Sequence, residues 1–401
     1  MTAVSPPSRD SIGRGKPGLL FATLMLGLMS QGLAFTAFAA ALPQMARDFG
    51  ARGEFIAQMV MGLAALGLMV GALASGWILE RAGMLATLVG ATLAFGLAGA
   101  GGMFLADPSL LLASRFAVGF ASACMTTACM WGIGTEYDGH QRARALGISS
   151  GLGSIAALIG TVLGGFIAQR AGWRLAFAQF PAFAAVGLLL VLVSVRQVRP
   201  GRSADTSVHE TPFLARLLAF YFLSTMLYAV MFMGSTQFAF LLQSDGISSS
   251  STRSLFIGAI TVVGASTSLC YGALQKRLSA TGAFALGLLG MTLSLATIGA
   301  SSAPAYAAAG AVLMGLYVGI TSPYVYHEVT ERTTPNVRGR AIGVLSAFCY
   351  LGAFLNPPVF AALSRWVGMR GVFFAAALGT AALAAATAAR LLSRRRAVRA
   401  G

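Results

Sequence analysis

What this sequence has least of is charge. Only 10% of its 401 residues are Asp, Glu, Lys or Arg, against roughly a quarter in a soluble domain. Carboxylates are the scarcest, with 12 Asp and Glu facing 28 Lys and Arg for a net charge of +16. Such an excess suits nucleic acid only where the cations form one face with interleaved aromatics. Here they stand in short stretches between apolar runs, so no nucleic-acid partner is expected. All four cysteines (Cys124, Cys129, Cys270, Cys349) fall inside apolar runs, without disulfide-framework or metal-ligand spacing. No metal site is expected. Neither a phosphate loop nor a nucleophile–base constellation is present, which argues against an ATP-driven pump and against an enzyme.

What is present is hydrophobic length. Hydrophobic residues make up 57% of the chain and the mean hydropathy is +0.76. Twelve runs each reach the roughly 20 residues that a bilayer crossing needs. They lie near 18–42, 55–79, 84–105, 109–134, 145–169 and 175–195, then near 213–243, 252–274, 283–301, 305–330, 341–365 and 371–392. The first run is too long for the apolar core of a signal peptide and reads as an anchor. The chain is therefore expected to be an all-α membrane protein. Its expected parts are a tail over 1–17, a six-helix half over 18–195, a linker over 196–212, a second half over 213–392 and a basic tail over 393–401. The 49 glycines suit close helix packing in lipid.

Three strings recur with a shared separation of 196 residues. Gly76-Trp-Ile-Leu-Glu-Arg-Ala-Gly83 returns as Gly272-Ala-Leu-Gln-Lys-Arg-Leu-Ser279. Arg142-Ala-Arg-Ala-Leu-Gly147 returns as Arg338-Gly-Arg-Ala-Ile-Gly343, and Trp173-Arg-Leu-Ala-Phe177 as Met369-Arg-Gly-Val-Phe373. One spacing for three matches indicates two tandem, pseudo-symmetric halves. An even number of spans in each gives them the same orientation. Gly76 to Gly83 reads as a tight charged turn after span 2. Glu80 and Arg81 can pair there with charges of the other half, with Arg142, Arg338 and Arg340 as further members of an inter-half latch. The competing reading is a solvated hairpin.

The residues Gly76, Glu80, Arg81 and Gly83 resemble the loop between spans 2 and 3 of major facilitator superfamily transporters. Glu80 stands for the family's Asp, and Met84 and Leu85 occupy its trailing basic pair. Arg115-x-x-x-Gly119 resembles the family's membrane-embedded arginine. Gly147, Gly160, Gly164 and Gly165 resemble its antiporter signature in span 5, with Ala156 and Thr161 replacing a Gly and the Pro. The resemblance covers essentially the whole chain. It implies the twelve-helix fold, a rocking cycle, close packing of span 5, and a central cavity lined by spans 1, 4, 7 and 10.

On those spans the residues expected to line the cavity are Gln31, Phe35, Arg115, Thr126, Tyr228, Gln237, Tyr317 and Tyr324. Arg115 either faces the cavity, since a buried guanidinium is costly, or snorkels to the nearby interface. An aromatic cavity with few charges suits an amphipathic or apolar solute better than a sugar or phosphate. No Asp or Glu stands at mid-depth in a span, so His327, Glu328 and Asp48 are the candidates for proton coupling. The function expected is a secondary transporter of a small organic substrate, most simply a proton-coupled exporter. The alternatives are an importer or facilitator, and a transport-inactive sensor. No cofactor is expected beyond an ion gradient, of protons; the expected partner is the lipid bilayer, and the working unit a monomer.

The basic residues decide the expected orientation. The tails, the linker and the loops after spans 2, 4, 8 and 10 carry 20 Lys and Arg, and the opposite loops carry 7. The positive-inside rule then places both termini in the cytoplasm of a bacterial inner membrane. A reporter fused after Arg396 should be active only in the cytoplasm, and periplasmic activity there would overturn the span count.

Overall fold

In a bilayer each backbone N–H and C=O must find its partner inside the protein, so a chain this apolar crosses as helices. The computed structural model describes residues 17–198 and 211–400, with the side chains at 139, 143, 211–216, 335, 336, 338, 339 and 390–400 outside that description. The first expected tail, most of the expected linker and the side chain of Arg338 thus lie outside the described residues.

Ten helices are long and apolar enough to cross: α1 (Pro17–Asp48), α2 (Gly50–Ala82), α3 (Met84–Phe104), α4 (Pro108–Glu136), α5 (His140–Ala171), α6 (Trp173–Ser194), α7 (Leu217–Ser244), α8 (Ser250–Gln275), α9 (Ala280–Ala300) and α10 (Pro304–Glu331). The eleventh, Arg340–Ala389, runs for 50 residues. Gly368 breaks it with φ 73° and ψ 167°, leaving two arms, α11 (340–367) and α12 (369–389). Twelve crossing segments result among the described residues, six before 199 and six after 210. Large apolar side chains such as Leu97, Leu269, Trp366 and Leu378 stand exposed on the outside, where lipid would cover them.

The 196-residue repeat reappears as geometry. Gly172 joins α5 to α6 with φ 82° and ψ 159°, the same left-handed joint as Gly368. Two residues after each joint an arginine reaches the carbonyl end of a neighbouring helix. Arg174 Nη1 donates to the Leu105 carbonyl at 3.0 Å, and Arg370 Nη1 to the Gly299 carbonyl at 3.2 Å. Those carbonyls are among the orphans at the end of α3 and α9, where a cation also complements the helix dipole.

Packing within each half brings backbones into contact. A β-carbon placed on Gly119 would stand 2.0 Å from the Ala64 carbonyl oxygen, so α4 and α2 touch there. Gly315, 196 residues on, meets α8 in the same way, 2.9 Å from the Ile260 oxygen.

One expectation is corrected here. Gly76 to Ala82 is not a loop but the last two turns of α2, and the chain reverses at Gly83 alone (φ 82°). The reversal is held from outside. Gln197 donates to the Ala82 carbonyl at 2.5 Å and accepts from the Ala86 N–H at 3.1 Å, while the Met84 N–H donates to the Val198 carbonyl at 2.8 Å.

At Gly172 an added β-carbon meets nothing within 4 Å, and only the positive φ opposes it. Gly172→Ala should therefore cost ~1–3 kcal/mol from backbone strain. Gly147 also meets nothing within 4 Å but sits in a regular helix, and Gly147→Ala should be neutral or stabilising. Thermal unfolding in detergent checks the contrast; equal melting temperatures would mean that Gly172 is not strained.

Candidate functional site

The halves meet where α2 packs on α11 and α5 on α8. Between them lies a cavity of about 740 Å³, within the ordinary range for small-molecule sites. Met130, Leu146 and Ile342 line it near the ends of α4, α5 and α11 that carry the basic loops, so it opens towards that face. Its walls come from α1, α4, α5, α7, α8, α10 and α11. None of its described lining residues is Asp, Glu, Lys, Arg or His.

Gln31 and Thr126 line this cavity, and Phe35 meets the lining ring of Phe232 edge-on at 5.1 Å between centroids. Tyr228 stands just behind the wall, its hydroxyl 3.2 Å from that of Ser322, which does line it. The other expected residues are elsewhere. Tyr317 is fully buried and donates to the Leu227 carbonyl at 3.0 Å. Tyr324 stacks on Phe284 at 4.1 Å. Gln237 belongs to the seal described below.

Arg115 neither faces the cavity nor snorkels. It is wholly buried, with Nη2 donating to the carbonyls of Ala98 (2.6 Å) and Gly99 (3.0 Å) near the end of α3. Its guanidinium carbon lies 4.7 Å and 5.1 Å from the ring centres of Phe177 and Phe180. The cation thus ties α4 to α3 and α6 inside the first half. The physical reason is that peptide oxygens and ring faces stabilise a cation without opening a path to water.

The face opposite the basic loops is sealed. Arg253 of α8, fully buried, donates from Nε to the Ala40 carbonyl of α1 at 3.1 Å. Its remaining nitrogens reach Gln243 Oε1, the carbonyls of Ile247 and Ser248, and Ser250 Oγ, all at 2.8–2.9 Å. The Ser250 N–H donates to Gln169 Oε1 of α5 at 2.8 Å. On the other side of the seam Gln237 Nε2 donates to Gln58 Oε1 at 3.3 Å and to Asn356 Oδ1 at 3.2 Å. Gln58 in turn donates to Glu54 Oε1 at 3.1 Å. Gly165 adds close contact, since a β-carbon there would lie 2.4 Å from that of Ser254.

The span-5 glycines accordingly do not act as one face. Gly160 and Gly164 lie against α1, Gly165 meets α8 across the seam, and Gly147 faces open space. At the basic face the latch residues Glu80, Arg81, Arg142 and Arg340 are exposed, and Arg81 lies over its own helix's Trp77 at 4.0 Å. The coupling candidates are occupied by structural bonds. Asp48 accepts from the Trp173 indole at 2.7 Å, and Glu328 pairs with Arg332 one turn on, not with His327. Neither His327 nor Glu328 lines the cavity.

Two features escape a reading of the sequence. Arg253 counts there as a charge in an outer loop, because it comes two residues after the Ser248–Ser251 run. Spans 5, 8 and 11 carry cavity hydroxyls at Ser149, Ser150, Ser154, Thr261, Ser268 and Ser346. Their helical spacing was the available signal, masked by the abundance of small residues in every span.

Arg253→Met removes the charge-assisted bond to Ala40, worth roughly 1.5–3 kcal/mol, which changes a two-state ratio about ten- to more than a hundredfold. A cysteine at Ala40, 1% exposed in the sealed state, should then react at least about tenfold faster with an impermeant maleimide. An unchanged rate would mean that Arg253 does not hold the seal.

The comparisons agree with this architecture. A family model described as Major Facilitator Superfamily matches residues 24–333. The structure of the nucleoside transporter NupG superposes with a TM-score of 0.69 at 14% identity, covering 92% of this chain and 98% of that one. A point variant of NupG gives a TM-score of 0.73, also at 14% identity, covering 92% and 99%. At that identity the likeness is one of fold, but the family model spans well over half of the sequence, and this chain belongs to the Major Facilitator Superfamily.

Proposed function

We propose that this protein carries a small organic solute across a bacterial inner membrane by alternating access, as a monomer with both termini cytoplasmic. The observation that supports this most is the cavity itself. It lies on the seam between two pseudo-symmetric halves, open at one face and closed at the other by bonds that cross the seam. Rocking the halves would open those bonds and expose the same cavity to the other side. In the proposed orientation the conformation is inward-open. The exposed Glu80 and Arg81 would then pair across the seam only in the outward-open state.

A cavity without acid or histidine favours a facilitator, in which the solute's own gradient drives transport and sets its direction. Proton-coupled export is the second reading, and Glu54 is the observation in its favour. It is the acid joined, through Gln58, to the Gln237 contact across the seal. Uphill flux under an imposed pH gradient, lost in Glu54→Gln, would establish that reading in place of the first.

Alternation is testable without a substrate, in a background lacking Cys124, Cys129, Cys270 and Cys349. A β-carbon placed on Gly62 would stand 3.3 Å from Pro357 Cγ across the seam, so cysteines at both positions should cross-link and lock the seal. Unlocked protein should label in time at both Ala40→Cys and Leu146→Cys, and locked protein at Leu146→Cys alone. Failure of Ala40→Cys to label in unlocked protein would mean a frozen molecule, and would favour a transport-inactive sensor.

A further inference from the structure

The cavity's chemistry is narrower than its shape. Four hydroxyls on its wall donate their proton to their own helix. Thr126 donates to the Ser122 carbonyl (2.9 Å), Ser149 to Leu146 (2.8 Å), Ser154 to Ser150 (3.3 Å) and Ser346 to Ile342 (3.0 Å). A hydroxyl bonded back in this way presents oxygen lone pairs to whatever faces it. Ser346 also accepts from the Tyr326 hydroxyl at 3.2 Å, which leaves the Tyr326 oxygen as a further acceptor on the wall. The wall is therefore rich in acceptors, drawn from α4, α5, α10 and α11 and so from both halves. Gln31, the one amide among the described lining residues, lies beside the Tyr350 hydroxyl of the other half. It offers both a donor and an acceptor. Phe232, Tyr326 and Tyr350 supply ring surface between these polar groups.

Each class of solute meets this wall differently. An ion would lose water and find no counter-charge, at a cost of several kcal/mol. A purely apolar solute would strip water from the hydroxyl oxygens and leave them unpaired. A neutral solute that brings several O–H groups would satisfy the acceptors and lay its C–H face on the rings.

Building on the alternating-access reading, we propose that the cavity selects an uncharged, polyhydroxylated solute, held by back-bonded hydroxyls of both halves and by Gln31. The shared chemistry is a sugar or polyol carrying several adjacent hydroxyls, either free or as the sugar part of a nucleoside. This replaces the amphipathic or apolar solute, preferred to a sugar, that the aromatic content of the sequence suggested. Two of the residues behind that expectation, Tyr317 and Tyr324, lie outside the cavity, while the serines that do line it are neutral and polar.

Counterflow in proteoliposomes tests the assignment, with D-ribose, sorbitol, uridine and the lipophilic cation tetraphenylphosphonium as labelled probes. Saturable exchange is expected for at least one of the first three and not for the cation. Uridine alone would identify a nucleoside site, and ribose or sorbitol a free-sugar or polyol site. Thr126→Val and Ser346→Ala each remove one acceptor and should raise KM roughly three- to tenfold with kcat little changed. Ser266 is bonded back to its own helix in the same way but is exposed away from the cavity, and Ser266→Ala should leave KM unaltered. Exchange of the cation alone overturns the proposal, as does a KM that ignores both cavity variants. No exchange of the three hydroxylated probes, in protein that still labels alternately at Ala40→Cys and Leu146→Cys, removes the substrate class and leaves the transport cycle standing.

Discussion

A buried cation, with no buried anion among the described residues, is the constraint on which this molecule depends. Arg115 and Arg253 are both fully enclosed in an apolar bundle, where an unsatisfied guanidinium would cost several kcal/mol. Main-chain carbonyls supply much of the answer in each case: those near the end of α3 for Arg115, and those of Ala40, Ile247 and Ser248 for Arg253. A carbonyl does not titrate. The closure made by Arg253 is therefore geometric, and holds only while α1 and α8 keep their approach. Within one half such a bond ties neighbouring helices together; across the seam, in the proposed cycle, it would open as the halves rock.

The two halves share a plan and differ where the seal is made. Thr236, Gln237 and Asn356 form a bonded polar set in the second half. The positions 196 residues earlier are Ala40, Ala41 and Gly160. Arg253 likewise corresponds to Ala57. The second half thus contributes long polar side chains, while at the Arg253 contact the first half offers its backbone, through the Ala40 carbonyl. Gln58, bonded to Gln237, is the first half's own contribution. Small residues in one half let the other half's side chains reach a main-chain oxygen. The asymmetry that closes one face has been laid onto a symmetric scaffold whose joints, Gly172 and Gly368, are nearly superposable in conformation.

The cavity wall also shows why aromatic residues on a membrane helix are weak guides. Tyr317 and Tyr324 sit on α10 at plausible depths, yet their rings turn into the second half, against Leu227 and Phe284. A helix offers several faces within one turn, and rotation about its axis decides which face meets the cavity. Gln31 and Thr126 were legible because the family resemblance puts spans 1 and 4 on the cavity and both residues lie at mid-depth there. Ser149, Thr261 and Ser346 were not, because serine and threonine are common throughout the spans and bond back to their own helix wherever they stand.

Apolar length and a 196-residue repeat led to an all-helical membrane bundle with repeated halves, and the resemblance of Gly76 to Gly83, Arg115 and the span-5 glycines led to the transporter fold. Those properties are periodic and local, and a bilayer permits few other solutions. Tertiary structure alone decided three further matters. It turned Gly76 to Ala82 into helix, because Gln197 and Val198 hold the reversal at Gly83. It carried Arg253 out of its apparent loop and into the seam, where Ala40 lies 213 residues away in sequence. It also set the rotation of each helix, and with it the choice between packing and cavity for every polar residue. Such choices follow from which helix lies opposite, and no local pattern in the chain records that.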